Sequence, residues 1–292
     1  MKEALFYKKL NEEKVKCQLC NHFCQIENDQ RGICGVRENK DGVLYSLVYG
    51  KVIVVNVDPI EKKPLYHFLP KTKTFSIATV GCNFTCAHCQ NADISQAREH
   101  FKGKDMPGHE MSPEKIVKLA QEAECPSISY TYTEPTIFFE YALDCMKIAK
   151  EKYLKNIWVT NGYTAKSALE MVRPYLNAVN VDLKFFKDST YRKICNARID
   201  PVLENLVWYK KNNIHLEVTT LIIPTLNDSD EELNDIAKFI KNKLGVETPW
   251  HVSAFWPTYK LNHLPPTPTE TVLKAKEIGE KNGLKYVYEG NV

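Results

Sequence analysis

A chain of 292 residues can bury one large α/β core, for which about 200–250 residues is ordinary, with room for a small accessory module. Its 39 Lys and Arg against 36 Asp and Glu leave a formal charge of +3 spread along the chain. That excludes a strong electrostatic footprint for nucleic acid and favours a metabolite or a protein partner. The start Met1-Lys2-Glu3-Ala4-Leu5-Phe6-Tyr7-Lys8 lacks an apolar signal core and no run approaches the ~18 apolar residues of a membrane span, so the ten cysteines are expected as metal-binding or buried thiols in a reducing cytoplasm.

Residues 1–70 are expected to form a front module. Cys17-Gln18-Leu19-Cys20, Cys24 and Cys34 bring four thiols close in sequence, with Gly32 and Gly35 bending the backbone around the last. Four such ligands suit a closed tetrathiolate site, either structural zinc, the first choice on ligand count, or an auxiliary [4Fe-4S] cluster. The stretch from Gly42 to Val55 is rich in β-formers. Residues 71–292 then alternate strands and helices, the pattern of a parallel α/β fold.

The first strand of that second unit is Thr74-Phe75-Ser76-Ile77-Ala78-Thr79, and Gly81 marks a sharp turn off its end. Directly after it come Cys82, Cys86 and Cys89, with His88 inside the loop. Three thiolates are one short of the four a cubane needs, so a cluster held here keeps one iron open to a non-protein ligand. A zinc knuckle that includes His88 is the bland alternative. A strand that runs straight into a metal loop places the metal at the strand's carboxyl end, where α/β barrels keep their active sites.

Further strands are predicted at 127–132, 156–160, 178–183, 215–223, 251–255 and 285–288. Helices are predicted to start near Ser112, Glu134, Ala165, Asp188 and Ser229. Polar groups gather where the strands stop: Thr133-Glu134-Pro135 after the second, Thr160-Asn161-Gly162 after the third, Asp182 and Lys184 after the fourth. Alternation sets Asp182 and Lys184 on one side of their strand, towards a barrel mouth, although an exposed ion pair is the ordinary alternative. Glu217, among apolar neighbours, needs a partner. His251, Phe255 and Trp256 are candidates for a cavity wall. Cys125, Cys145 and Cys195 read as buried thiols, Cys195 being the one nearest a strand end.

The cysteine loop, C-x3-C-x2-C after a first strand, resembles the signature of the radical S-adenosylmethionine (SAM) superfamily, with His88 where an aromatic usually stands. The resemblance implies a partial (β/α)6-type TIM barrel, a [4Fe-4S] cluster, and SAM bound to the open iron and cleaved to methionine and a 5′-deoxyadenosyl radical. It implies that Thr133 and Glu134 correspond to the motif Gly-Gly-Glu-Pro that holds the SAM amino group, Tyr132 and Thr133 replacing the glycines. It also implies that Asn161, Asp182 and Lys184 contact SAM, as in glycyl-radical-enzyme activases, and that Ile223 packs on the adenine. Val159 departs from the aspartate that activases often carry there.

Asp58-Pro59-Ile60-Glu61-Lys62-Lys63-Pro64-Leu65-Tyr66-His67-Phe68-Leu69-Pro70, with the front cysteines and the closing Val287-Tyr288-Glu289-Gly290-Asn291-Val292, resembles the AmmeMemoRadiSam system radical SAM enzymes. This narrower resemblance implies association with Memo-like and AMMECR-like proteins; many of these relatives run past the Gly-Asn-Val into a short cysteine-bearing tail, whereas the sequence given stops there. A flavodoxin or ferredoxin is the expected reductant. The competing readings are a glycyl-radical-enzyme activase and, in a different class, a non-catalytic iron-sulfur electron carrier or metal-stabilised binding module.

Overall fold

In the computed structural model, which describes residues 1–11 and 13–292, the alternating segments build one eight-stranded sheet whose spatial order follows the sequence. Its strands are β1 (Val54–Pro59), β2 (Lys73–Ala78), β3 (Ser127–Tyr130), β4 (Lys155–Thr160), β5 (Ala178–Asp182), β6 (His215–Ile222), β7 (Trp250–Ala254) and β8 (Val287–Gly290). From β2 to β8 every pair is parallel, while β1 runs antiparallel along β2. With helices between the strands, this is a partial TIM barrel. The predicted strands lie within a few residues of the observed ones. The added antiparallel strand comes from residues the sequence assigned to the front module.

The helices between strands are α1 (Pro113–Glu122), α2 (Phe139–Glu151), α3 (Lys166–Val172), α4 (Asp188–Cys195), α5 (Asp200–Lys211), α6 (Asp230–Phe239) and α7 (Thr269–Lys281). Capping explains where two of them begin. Ser112 Oγ accepts from Lys115 N–H ahead of α1, and Ser229 Oγ accepts from Glu232 N–H ahead of α6. The sequence missed α5 and α7, which begin without a side-chain cap. Among the described residues no helix is long and apolar enough to cross a membrane.

Residues 60–70 pass through the barrel interior as a strap across the amino-terminal halves of the strands. Ile60 and Leu65 are buried with Ile157 and Ala178, and Phe68 packs alongside. The strap is tied by backbone bonds to interior side chains. Asn180 Nδ2 donates to Pro64 O at 2.8 Å, and Glu217 accepts from the N–H groups of Tyr66 (3.0 Å) and His67 (2.8 Å). Glu217 also meets His215 Nε2 at 2.9 Å and His251 Nε2 at 2.7 Å. These contacts supply the partner the sequence demanded for a buried carboxylate. They put Glu217 and His251 in the layer beneath the cavity, so neither lines it.

Burial works against ionisation of Glu217, but its four donors outweigh that and hold its pKa at about 2. An unfolded glutamate titrates near 4.3, so Glu217 contributes fully above that value and its contribution is lost as the pH falls towards 2. Glu217→Gln is therefore expected to cost about 2–3 kcal/mol at pH 7, with the gap to wild type narrowed to about half at pH 3. Denaturant unfolding at the two pH values checks this. Equal stability at pH 7 would deny the strap its anchor.

Candidate active site

The carboxyl ends of the strands surround a cavity of about 440 Å3, within the range of sites for drug-sized ligands. It is lined by Cys82, Cys86, His88 and Cys89 of the loop together with Thr133, Glu134, Asn161, Asp182 and Lys184. Of the residues expected to hold the strand-end cluster and SAM, all but one thus lie around this cavity. Ile223 is the exception, and its expected place on the adenine needs correction. β6 ends at Ile222, and Ile223 is fully buried with its N–H donated to Asn227 Oδ1 at 2.6 Å. Thr219 and Leu221 are the residues of this strand that face the cavity.

The cysteine loop leaves β2 through Gly81, whose φ of +103° suits glycine. A Cβ there would lie 2.7 Å from Val36 Cγ1 and 3.1 Å from Cys34 O. The loop is then pinned to the end of α4: Thr85 N–H donates to Cys195 O and Ala87 N–H to Ile194 O. This brings Cys195 against the loop, where the ligand atoms of Cys86, His88 and Cys195 all lie within 4.8 Å of one another. Sequence reasoning left Cys195 as a buried thiol, because its approach depends on how α4 docks. Its thiol donates to Cys86 and lowers the Cys86 pKa, whereas burial pushes Cys82 and Cys89 up. His88 is buried with both ring nitrogens unpartnered; burial, then the Lys184 charge, lowers its pKa to about 3, so it is a neutral ring at neutral pH.

Glu134 is completely buried, and its carboxylate takes four donors. Oε1 accepts from Thr136 N–H (3.0 Å), Thr136 Oγ1 (2.6 Å) and Thr160 Oγ1 (2.8 Å), while Oε2 accepts from Asn161 N–H at 2.8 Å. The carboxylate is therefore first a clasp between the ends of β3 and β4, with acceptor capacity left on Oε2 for a ligand. Burial nevertheless raises its pKa against the pull of those donors. Asn161 is similarly committed: its Nδ2 donates to Asn83 Oδ1 at 2.7 Å, next to Cys82, and its Oδ1 accepts from Tyr163 N–H.

Tyr132 stands where the resembling motif has glycine, and it adopts a left-handed φ of +62°. Its side chain holds the residue there. The hydroxyl donates to Asp58 and accepts from Asn56 Nδ2 at 3.1 Å, and Lys63 Nζ lies 4.7 Å from the ring centroid. Its carbonyl accepts from Asn91 Nδ2 at 2.7 Å. The Thr133 hydroxyl donates to Thr79 O at 2.9 Å, so its proton is directed to the end of β2.

Lys184 Nζ pairs with Asp182 Oδ2 at 2.9 Å, and the two half-buried side chains converge as alternation predicted. Desolvation opposes the Lys184 charge, but Asp182 and Cys86 keep its pKa well above the usual value. Lys62, Lys63, Ser253 and Asn291 also line the cavity and were not anticipated. The two lysines arrive on the strap and Asn291 follows the last strand, neither of which has a periodic signal. Phe255 is buried in the core and Trp256 is exposed; neither lines the cavity.

Replacing Glu134 by glutamine puts an amide nitrogen where donors now converge. The expected loss is roughly 1–3 kcal/mol of stability. Thermal unfolding of Glu134→Gln that matches wild type would show that the clasp is dispensable.

Comparison with known proteins agrees with this architecture. The radical SAM superfamily profile matches residues 76–240. The chain is 48% identical over 292 residues to the uncharacterized protein MJ0808 of Methanocaldococcus jannaschii, spanning all of this chain and 86% of that one. It is 24% identical over 188 residues to the pyruvate formate-lyase-activating enzyme of Clostridium pasteurianum, covering 62% of this chain and 77% of the relative. A radical SAM methyltransferase from Sphaerobacter thermophilus shares the fold with a TM-score of 0.58 at 15% identity, over 77% of this chain and 68% of the other. The chain belongs to the radical SAM superfamily, with homology to glycyl-radical-enzyme activases.

Proposed function

We propose that the chain holds a [4Fe-4S] cluster on Cys82, Cys86 and Cys89 and binds SAM in the strand-end cavity, as a radical SAM enzyme acting on a substrate still to be identified. The observation that carries this reading is the meeting of three loop thiols with the Asp182–Lys184 pair and the Glu134 carboxylate around one 440 Å3 cavity. When bound, the two cofactors supply one-electron cleavage of the sulfonium S–C5′ bond and hydrogen abstraction from a substrate carbon.

The chain's own residues bind and orient. Lys184 offers an ammonium to the carboxylate of SAM, Asp182 accepts from ribose hydroxyls or the amino group, and the remaining capacity of Glu134 Oε2 accepts from the amino group. Thr133 and Asn161 fix the backbone around that contact through the bonds described above. His88 packs edge-on to Phe185, 5.7 Å between ring centroids, and seals the loop side. The strap closes the barrel floor and keeps water from the reacting centre.

The activase homology favours a second reading, in which the substrate is a glycine in a partner protein. The strap and front-cysteine text support the narrower assignment to the AmmeMemoRadiSam system, with a flavodoxin or ferredoxin as reductant, Memo-like and AMMECR-like partners, and a cytoplasmic setting. The close approach of Cys86, His88 and Cys195 favours a competing ligand set that leaves out Cys82 and Cys89.

Reduced protein incubated with SAM is expected to release 5′-deoxyadenosine. Alanine at Cys82, Cys86 or Cys89 should abolish the product, whereas Cys195→Ala should keep the cluster and the activity. Loss of iron in Cys195→Ala with retention in Cys82→Ala would support the competing ligand set instead. Removing the charge of Asp182 or Lys184 should weaken SAM binding about ten-fold or more, since a charge-assisted contact contributes roughly 1.5–3 kcal/mol. Calorimetry with unchanged affinity in both variants would return the pair to an ordinary ion pair.

A further inference from the structure

Cys17, Cys20, Cys24 and Cys34 converge on a second, nearly closed cavity away from the strand-end site. Its other walls are mainly apolar, including Leu19, Ile26 and Ile137, and three polar residues join them: His22, and the more deeply buried Arg37 and Asn83. Arg37 and Asn83 are each 1% exposed. Arg37 pairs with Glu140 through Nη2 at 2.5 Å, which leaves its Nε and Nη1 buried without an acceptor. Asn83 Nδ2 is also buried and unpartnered. Buried N–H groups normally find acceptors, so three such donors beside four thiols indicate an anionic, sulfur-rich occupant.

The spacing of the sulfurs bears on what that occupant is. In a tetrahedral zinc site the Zn–S bonds of about 2.3 Å set the sulfurs about 3.8 Å apart and leave no space between them. Here the thiols line a small void of about 20 Å3, so they stand apart instead of touching as the sulfurs of a zinc tetrahedron do. Among the described residues, three ligand atoms close to within 4.8 Å of one another at Cys86, His88 and Cys195, but not among these four cysteines. The sequence favours zinc on ligand count; the geometry favours a larger metal-sulfur core.

We infer that Cys17, Cys20, Cys24 and Cys34 ligate a second [4Fe-4S] cluster, with Arg37 and Asn83 donating N–H···S hydrogen bonds to it. All four iron sites then carry a protein thiolate, so this cluster is closed, in contrast to the three-thiol loop.

The second site is also joined to the first. His22, between Cys20 and Cys24, has Nε2 2.8 Å from Asn83 O, and Asn83 Oδ1 accepts from Asn161 Nδ2 at the strand-end cavity. Asn21 N–H donates to Tyr163 O at 3.0 Å and Ala165 N–H to Leu19 O at 2.9 Å, fixing the cysteine knuckle on the turn that carries Asn161. Asn83 is thus the neighbour of Cys82 in sequence and a wall of the second cavity in space.

The test uses the full chain with Cys82, Cys86 and Cys89 all replaced by alanine, prepared anaerobically. About four iron and four sulfide per chain, with a cubane signal in the reduced state, is the expected result. One zinc and no sulfide, or four titratable thiols and no metal, would overturn the proposal. Adding Arg37→Met together with Glu140→Gln, which removes the donors without stranding a buried charge, should move the cluster midpoint to a more negative potential relative to Glu140→Gln alone. An unchanged potential would remove Arg37 from the cluster's surroundings. These readouts do not depend on SAM cleavage, so they stand or fall apart from the strand-end proposal.

Discussion

A carboxylate taken wholly out of water must find donors, and the four that Glu134 finds organise the strand-end cavity. Three come from Thr136 and Thr160, which lock the end of β3 to the end of β4. The fourth is the Asn161 N–H, and it fixes the residue whose side chain reaches Asn83 and the cysteine loop. The position of Cys82 relative to the ends of β3 and β4 therefore passes through a chain of hydrogen bonds from one buried carboxylate. Local order of this kind matters where a ligand must meet a metal and a set of polar groups together.

The strap does comparable work from below. A partial barrel leaves its interior floor open, and in this chain Ile60, Leu65 and Phe68 fill it while Glu217 receives the strap's N–H groups. The same segment delivers Lys62 and Lys63 to the cavity, with Asp58 held between them and Tyr132. Burial works against the ionised form of Asp58, yet these donors keep its carboxyl below the ordinary aspartate range. Floor and cavity wall are consequently one continuous piece of chain, and Tyr132 is held in its left-handed conformation by Lys63 of that piece and by Asn56 and Asp58 of β1 just before it.

Much of the fold was legible because parallel strands buried on both faces read as short apolar runs, as at Ile157 to Thr160 and Ala178 to Val181. The strand-end residues were legible for the same reason: once the strands are located, Asn161, Asp182 and Lys184 fall at their carboxyl ends. What the sequence could not convey was which polar groups are already spent. Asn161 and Thr133 look like ligand contacts in one dimension, yet their donors are engaged by Asn83 and Thr79. Cys195 and Asn83 acquire their roles only through the docking of α4 and of the front cysteines, contacts between residues far apart in sequence. Ile223 was misplaced because β6 ends one residue before it and the chain turns into the core.

In the proposed enzyme the three-thiol loop leaves one iron free for SAM, and electron paramagnetic resonance of the reduced protein tests this most directly. The variant for this measurement lacks Cys17, Cys20, Cys24 and Cys34, so that only the strand-end site contributes. Addition of SAM should change the spectrum, and SAM labelled at its amino nitrogen or carboxylate should show hyperfine coupling to the cluster. A cubane signal that is indifferent to SAM, with no such coupling, would contradict an open iron at Cys82, Cys86 and Cys89.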